Sequence, residues 1–532
     1  MKKIIYITFA AFMFTGCSDF LEREPLELTP ENYWNTEEDL RTSLVSLYKN
    51  MDEDYTRDTR SIDVYGGGPD EISAGTYQPK NSDGVWNTAY EQIRTINEFY
   101  ENYNKANVSD EVKNRYLGEA NFFKAYYYFQ LIRRFGDVPY IQKTLNIDSP
   151  ELYGPRVDKK IILDDIIQNL LDAENFVPLK KDMAEDVGRV TKGAVQALLG
   201  RIALYYGTYY KFHGGNVNYK DYLEIAKNAC YRLMTSEQYN LVKDYRTLFL
   251  EEGEDSEEHI LSIRFTKQTN TDNPRGAGIF AKYRFTPTKH LADAFLCSDG
   301  LPIDKSSFKV KYLPMGEEFE NRDPRMELTI WRPKTDFLGN PFLPSLSTQT
   351  YTGYMFKKYG NEEAYYTKIS YIDEIIFRYA EVLLNYAEAV YEKDEYISDE
   401  DLDLSINLLR KRFEGYPNKL PNLTNEFVRD HGLDMREEIR RERRVELASE
   451  GFRYDDLIRW KTAETELPQT ILGIKFDKKE YPDYKKPKLD ENGFLIVEDG
   501  AKRSFDPEKN YLYPLPLRET SLNEKLGQNP NW

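Results

Sequence analysis

Leu199-Gly200-Arg201-Ile202-Ala203-Leu204, followed by Tyr222, Ala226 and Ala229, is the stretch that decides the fold. Its small residues stand at helical spacing where two antiparallel helices must approach closely, the pattern of a tetratricopeptide-like hairpin. Leu384-Asn385-Tyr386-Ala387-Glu388-Ala389 echoes it with a different partner helix. One hairpin cannot bury its own apolar stripe, so several must stack over a shared core. The stripes are therefore packing surfaces, and Gly200 marks a crossing with no room for a branched side chain.

Outward from this pair the helical period continues in both directions. Thr36 and Asp39 form a capping box ahead of Leu40, Leu44, Leu47 and Tyr48. Trp86, Ala89, Tyr90, Ile93, Asn97 and Tyr100 share a second helical face, and that spacing assigns Trp86 to the core. Ser109 opens a helix carrying Tyr116, Ala120, Phe123, Tyr127 and Leu131, closed by Gly136-Asp137-Val138-Pro139. Asp158 starts another with Ile162, Ile166, Leu170 and Ala173. Further pairs are predicted for Thr191 to Lys211 with Tyr219 to Thr235, and for Ile375 to Lys393 with Ser398 to Phe413. A last helical stretch, Met435 to Lys461, is interrupted at Gly451.

Between about residues 238 and 373 the period fails. Prolines and glycines recur from Pro274 to Pro344, and the only clean apolar strand is Ile260 to Phe265. Aromatic residues are spread through this insert: Phe280, Tyr283, Phe285, Trp331, Phe337, Tyr351 and Tyr354. A segment that long without regular structure, yet aromatic, is expected to be functional. A similar loop, Tyr65-Gly66-Gly67-Gly68-Pro69 through Gly84, precedes the Trp86 helix. Loops held on a rigid scaffold are where binding residues tend to lie.

Composition bounds the function. The 532 residues exceed what one hydrophobic core holds, which calls for at least two packed layers or a helical array. With 72 basic against 90 acidic residues, the formal charge of −18 is the wrong sign for gripping nucleic acid. The 42 tyrosines exceed what core packing calls for, and tyrosine suits surfaces that bind through half-apolar, half-polar contacts. Only four histidines exist, His213, His259, His290 and His431, with no metal-ligand spacing among them. There is no nucleophile elbow, phosphate-binding loop or dinucleotide fingerprint, so neither a metal, a cofactor nor an enzymatic activity is expected. Asp164-Asp165 and Asp455-Asp456 lie on predicted helices beside Lys and Arg, where ion pairing is the default over glycosidase chemistry. The run Arg436 to Leu447, four glutamates interleaved with its arginines, reads as an ion-paired helix whose i, i+4 neighbours tie adjacent helices together.

The first residues set the compartment. Lys2 and Lys3 precede an apolar run from Ile4 to Phe14 that is too short to span a bilayer, the form of an export signal. It ends in Phe14-Thr15-Gly16-Cys17, which resembles a bacterial lipobox and predicts a signal over residues 1–16 with lipidation at Cys17. Multiple acyl chains on Cys17 would anchor the chain stably where one would not. Cys230 and Cys297 are too few for a disulfide framework; one bridge is open to them, and both read more naturally as packed thiols.

Several motifs, taken in order, resemble the SusD/RagB family of outer-membrane lipoproteins. They are the lipobox with Ser18-Asp19-Phe20-Leu21, Gly118-Glu119-Ala120 through Phe135-Gly136-Asp137-Val138-Pro139, and Val190-Thr191-Lys192-Gly193-Ala194. Arg378-Tyr379-Ala380-Glu381, Glu450-Gly451-Phe452-Arg453-Tyr454-Asp455-Asp456-Leu457, and the closing Tyr511-Leu512-Tyr513-Pro514 and Gln528-Asn529-Pro530-Asn531-Trp532 complete the set. The resemblance implies one domain over residues 17–532. It is mainly α-helical, with four tetratricopeptide-like hairpins (about 36–236 and 374–461) packed against an irregular ligand-binding insert (about 238–373) with few short strands. A loop-rich segment, 462–532, follows.

The same resemblance implies a glycan-binding, lipid-anchored protein of the outer-membrane surface, delivering oligo- or polysaccharide to a SusC-like TonB-dependent transporter. It implies sugar rings stacking on aromatics from the two loop regions, which nominates Tyr77 first, then Tyr283, with Trp331 as a further platform or the apolar end of a strand. Gln78, Asn81, Asn270, Asn273 and Arg275 are the nearby polar groups that sugar hydroxyls would need. Two alternatives stay open: a peptide or protein-fragment binder of the RagB type, and a helical-repeat assembly protein whose insert aromatics are interface residues.

Overall fold

The computed structural model describes residues 33–51, 57–183, 186–268, 273, 285–313, 315–346 and 350–532. The first described elements are two short helices, α1 (Glu37–Ser43) and α2 (Val45–Lys49), the first started by the Thr36–Asp39 capping box. The strand β1 (Val64–Tyr65) leads to the long helices α3 (Gly84–Asn102), α4 (Asp110–Phe135), α5 (Lys159–Phe176), α6 (Lys192–His213) and α7 (Tyr219–Met234). Asp83, Ser109, Asp158 and Thr191 cap four of them by accepting backbone N–H groups of the first turn.

These helices pack as antiparallel hairpins: α3 on α4, α4 on α5, α5 on α6 and α6 on α7. Glycine sets how close they come. A Cβ at Gly118 would lie 2.9 Å from Phe176 and Val177 across the α4–α5 seam, and one at Gly200 would lie 2.7 Å from Cys230 Sγ across α6–α7. Cys230 and Cys297 are both buried free thiols.

The middle of the chain has short elements only. Among the described residues these are strand β2 (His259–Ile263), β3 (Thr286–Pro287), helix α8 (Lys289–Ala294), helix α9 (Pro324–Thr329), strands β4 (Asp336–Phe337) and β5 (Asn340–Pro341), and helix α10 (Glu362–Thr367). Next comes β6 (Glu374–Arg378), antiparallel to β2, and only then α11 (Tyr379–Asp394). The helix expected from Ile375 thus starts four residues later: Ile375, Ile376 and Phe377 are stiff or aromatic side chains that pair across to β2 in extended form. The partner helix expected from Ser398 to Phe413 is split into α12 (Asp399–Asp403) and α13 (Ile406–Lys411) at Ser405, whose backbone leaves the helical region.

Helix α14 (Asn425–Asp430) precedes α15 (Met435–Glu446), and Gly451, at φ +83°, separates α15 from α16 (Arg453–Arg459). Helix α11 lies across α6, α7 and α15, closing the helical layer. The C-terminal segment holds more structure than expected: the short helix α17 (Ala463–Glu466), an antiparallel hairpin of β7 (Ile471–Lys475) and β8 (Phe494–Glu498), and helix α18 (Leu517–Leu522).

Two apolar cores result. One runs through the helices from Leu40 to Leu526; the other, with Val64, Phe249, Phe285, Leu291, Phe295, Tyr354 and Ile474, lies beneath the insert. Between them α15 presents its charges inward. Glu446 accepts from Arg378 at 2.9 Å, Arg412 at 3.0 Å and Arg325 at 3.3 Å; Glu450 pairs with Arg378 and Lys358; Arg443 pairs with Asp456. The expected ties to neighbouring elements are formed by the acidic face of α15, buried against β6, α9 and α13, while within the helix the pairs fall at i, i+3, Arg440 with Glu437 and Arg441 with Glu438, rather than at i, i+4. Burial would raise the Glu446 carboxyl, but the Arg412, Arg378 and Arg325 guanidiniums overcome it and hold it well below the ordinary carboxylate range.

Candidate functional site

Three segments far apart in sequence meet at Tyr65. Strand β1 pairs with β3, placing Val64 opposite Pro287 and Tyr65 opposite Thr286, whose Oγ1 also donates to the Tyr65 carbonyl. The turn 350–354 is tied to both neighbours: Thr352 Oγ1 donates to Pro287 O at 2.6 Å, and Ile474 N of β7 donates to Thr352 O at 2.8 Å. The C-terminal segment closes the third side. Arg503 donates to Ser73 O at 3.0 Å and to Glu498 at 2.6 Å, and Ser504 N donates to Ala74 O.

This convergence sets the Tyr65 and Tyr351 rings 5.9 Å apart at 77°, an edge-to-face corner. Both side chains are partly exposed, and neither hydroxyl has a hydrogen bond to a described residue. Burial first, then the Glu498 charge and Tyr351, raise the Tyr65 phenol above its ordinary value, against a smaller opposing effect of Arg503. Tyr65 therefore keeps its proton and can donate. A corner of two apolar faces with free hydroxyl donors and acceptors matches the CH faces and hydroxyls of a sugar.

The carboxylate pairs that stand out in the sequence are committed to the fold. Asp165 takes Lys124 and Tyr140, Asp164 takes Lys160 and Tyr222, Asp455 takes Arg133, and Asp456 takes Arg443 and Arg459. Among the described residues no group of three His, Cys, Asp or Glu side chains is arranged to hold a metal ion. An open cavity of about 410 Å³ beside the start of α3 is lined by Met51, Asp83, Tyr126 and Arg134, the last bonded to Asp83.

A model of the SusD family matches residues 257–532, and a second, described as starch-binding associating with outer membrane, matches residues 19–204. The chain belongs to the SusD family. SusD-like protein P38 of Formosa agariphila is 26% identical over 92% of this chain and 99% of its own length. A SusD-like protein of Bacteroides ovatus is 24% identical over 86% of this chain and 82% of its own. Among solved structures, a SusD-like carbohydrate binding protein from Bacteroides fragilis superposes with a TM-score of 0.79 at 24% identity, covering 93% of this chain and 99% of that one. A laminarin binding SusD-like protein superposes at 0.64 with 19% identity, covering 94% and 100%. At those identities the structures speak to the SusD fold alone.

On this SusD scaffold the residues nominated from sequence are dispersed. Tyr77 is half-buried, its ring edge-on to Tyr513 at 5.7 Å and to Trp532 at 6.1 Å, with Lys80 Nζ 5.0 Å from the ring centre. Gln78 and Asn81 beside it are exposed. Asn273 is buried, its amide donating to Ile372 O at 2.7 Å, so its polar group is used within the fold. Trp331 belongs to a satellite cluster with Phe337, Phe342 and Met355, under Lys357, and follows Ile330, which bridges Phe356 as at the end of a strand. Cys17, Asn270, Arg275 and Tyr283 lie outside the described residues. Trp86 is buried, as its spacing predicts.

The Tyr65–Tyr351 pair was not nominated from sequence. Each tyrosine stands beside the loop features that drew attention, Gly66-Gly67-Gly68 for one and the aromatic insert for the other. Their juxtaposition depends on β1–β3 pairing between two-residue strands, which carry no periodic signal of their own.

Proposed function

We propose that this SusD-family chain is a non-catalytic, cell-surface glycan-binding lipoprotein. Anchored through acyl chains on Cys17, it captures oligo- or polysaccharide and passes it to a SusC-like TonB-dependent transporter in the outer membrane. The observation that carries the reading is the partly exposed tyrosine corner, whose hydroxyls bond to no described residue, held by the β1–β3 pairing, the 350–354 turn and the C-terminal segment. The family models support a starch-binding, outer-membrane setting, and two related folds are described as carbohydrate binding and laminarin binding.

Affinity electrophoresis of the mature chain through gels containing soluble starch, laminarin, xylan or polygalacturonate tests this. Retardation by at least one polysaccharide is expected, lost when Tyr65 and Tyr351 are both changed to Ala. Loss of one stacked ring corresponds to about tenfold in affinity, or ~1.4 kcal/mol. Unaltered mobility of the double variant would remove the corner from the site, and failure of the native chain to be retarded by any of the four would count against glycan capture. Release of reducing ends by the purified chain would overturn the non-catalytic assignment.

A further inference from the structure

The tyrosine corner owes its shape to a side chain that is missing. Gly67 has φ +89°, and a Cβ built on it would lie 2.5 Å from Tyr351 Cζ and 2.6 Å from its Cε2 and Oη. Real side-chain carbons do not approach a ring so closely, so the hydroxyl end of the Tyr351 ring lies directly against the backbone of residue 67. The flanking glycines differ. A Cβ at Gly68 meets nothing within 4 Å, and one at Gly66 meets Thr59 and Phe285 at 3.2 and 3.3 Å rather than the pair.

Neither partner can retreat cheaply. Thr352, next to Tyr351, is fixed by its bonds to Pro287 and Ile474. Gly353 and Gly473 press this turn onto β7, where added Cβ atoms would fall 2.4 Å from Ile474 and from Thr352 O respectively. On the other side, Tyr65 is pinned by its pairing to Thr286. Any side chain at position 67 must therefore be accommodated by rotation of the Tyr351 ring, which changes the angle between the two faces offered to a ligand.

We propose that Gly67 is the positioning residue of the ligand platform: its bare backbone is the seat on which the Tyr351 ring is held edge-to-face, at 77°, to Tyr65. This rests on the assignment of the tyrosine corner to glycan capture. Gly67 touches no reacting or ligand atom in this scheme and acts only through Tyr351, which makes its contribution separable from that of any residue acting directly.

The test combines a structure with a double-mutant cycle in the full mature chain. In a crystal structure of Gly67→Ala, the Tyr351 ring should be displaced from residue 67 while Thr352 stays bonded to Pro287 and Ile474. Affinity for whichever of starch, laminarin, xylan or polygalacturonate the native chain binds should fall about tenfold in Gly67→Ala. In a Tyr351→Ala background the same change should cost no further affinity, because its effect is transmitted through the ring. Backbone strain from a Cβ at positive φ lowers melting temperature in both backgrounds, so stability does not mimic this pattern. An unmoved ring, or an equal affinity loss in both backgrounds, would overturn the proposal. A native chain that binds none of the four polysaccharides would count against the glycan assignment, while the ring position would still decide the role of Gly67.

Discussion

The helical layer around α15 and the loop-built corner at Tyr65 hold themselves together by opposite means. Around α15, charged groups are stripped of water and held by ion pairs: Glu258, Glu446 and Glu450 by Arg378, Arg412 and Lys358, and Glu442 by Arg325 and Arg410. At the corner, polar groups are left unmatched and partly exposed, and the rings are held by backbone pairing and by absent side chains. A fold can leave hydroxyls free only where something else fixes the geometry. The difference predicts that the two regions fail differently, the first through stability and the second through binding.

The hardest blow to the first region is Glu446→Ala. It removes the carboxylate shared by Arg325, Arg378 and Arg412 and leaves buried guanidiniums under-compensated, a change worth ~3–5 kcal/mol when a buried pair is broken. Denaturant titration should show that loss, or the chain should fail to accumulate in folded form. A midpoint equal to the native one would mean that water reaches this network and that the contrast between the regions is false.

Gly200→Leu attacks the same layer without touching charge. The new side chain meets Cys230 Sγ at the α6–α7 crossing, and overpacking of this kind costs ~1–3 kcal/mol. A lowered melting temperature is expected, with polysaccharide retardation preserved in the fraction that remains folded. An unchanged melting temperature would show that the two helices can slide apart at little cost.

These two sites also mark what was legible beforehand. The α6–α7 crossing is written within one hairpin, as a 3.6-residue period and small residues at matching heights, and Ser109, Asp158 and Thr191 announce their helices from the cap position just before the first turn. What α15 does with its charges was only half visible. Its alternation of signs is local, but its partners sit on β6, α9 and α13, and no spacing within the helix points to them. The corner is the extreme case, assembled from strands two residues long, a turn at 350–354 and a C-terminal hairpin. Composition indicated that aromatics in loops would matter; which rings meet was a tertiary fact. Tyr77 looked as free as Tyr65 in the sequence because nothing there reveals that Tyr513 and Trp532 return to cover it.

Tyr77→Ala therefore asks which region Tyr77 belongs to. Its contacts with Tyr513 and Trp532 place it on the edge of the helical core, and aromatic pairs of this kind contribute ~0.5–1.5 kcal/mol beyond simple burial. The expected result is a modest fall in melting temperature with affinity for polysaccharide kept. Lost affinity at constant melting temperature would extend the ligand surface from the tyrosine corner to the 77–81 loop.

The last effect expected is one of pH, and it has opposite signs in the two regions. Glu388, in the helical layer, is opposed by burial but held down to about 2 by Arg459 and Arg443, so it favours folding at neutral pH and loses that contribution in acid. Glu318, beside Phe319 in the core beneath the insert, is buried and accepts from Tyr354 Oη at 2.8 Å; Tyr354 is three residues from Tyr351. Burial raises its carboxyl from 4.5 to about 7, with Asp293 adding to the rise and Tyr354, Arg322 and Lys289 opposing it. Arg322 relieves it little, since its donors go to the carbonyls of Glu318, Ala292 and Phe295. Below pH 4.5 the group is protonated in folded and unfolded chains alike and its contribution is complete. Between 4.5 and about 7 the folded chain keeps a proton that the unfolded chain has given up, so stability falls as pH rises. Glu318→Gln keeps the shape and removes the titration. Native chain and variant should thus diverge across that interval, the native chain losing melting temperature relative to Gln as pH increases and running parallel above it. A difference that stays flat from acid to neutral pH would show that Glu318 is as well compensated as the carboxylates of α15, and the contrast between the two regions would end at the tyrosine rings.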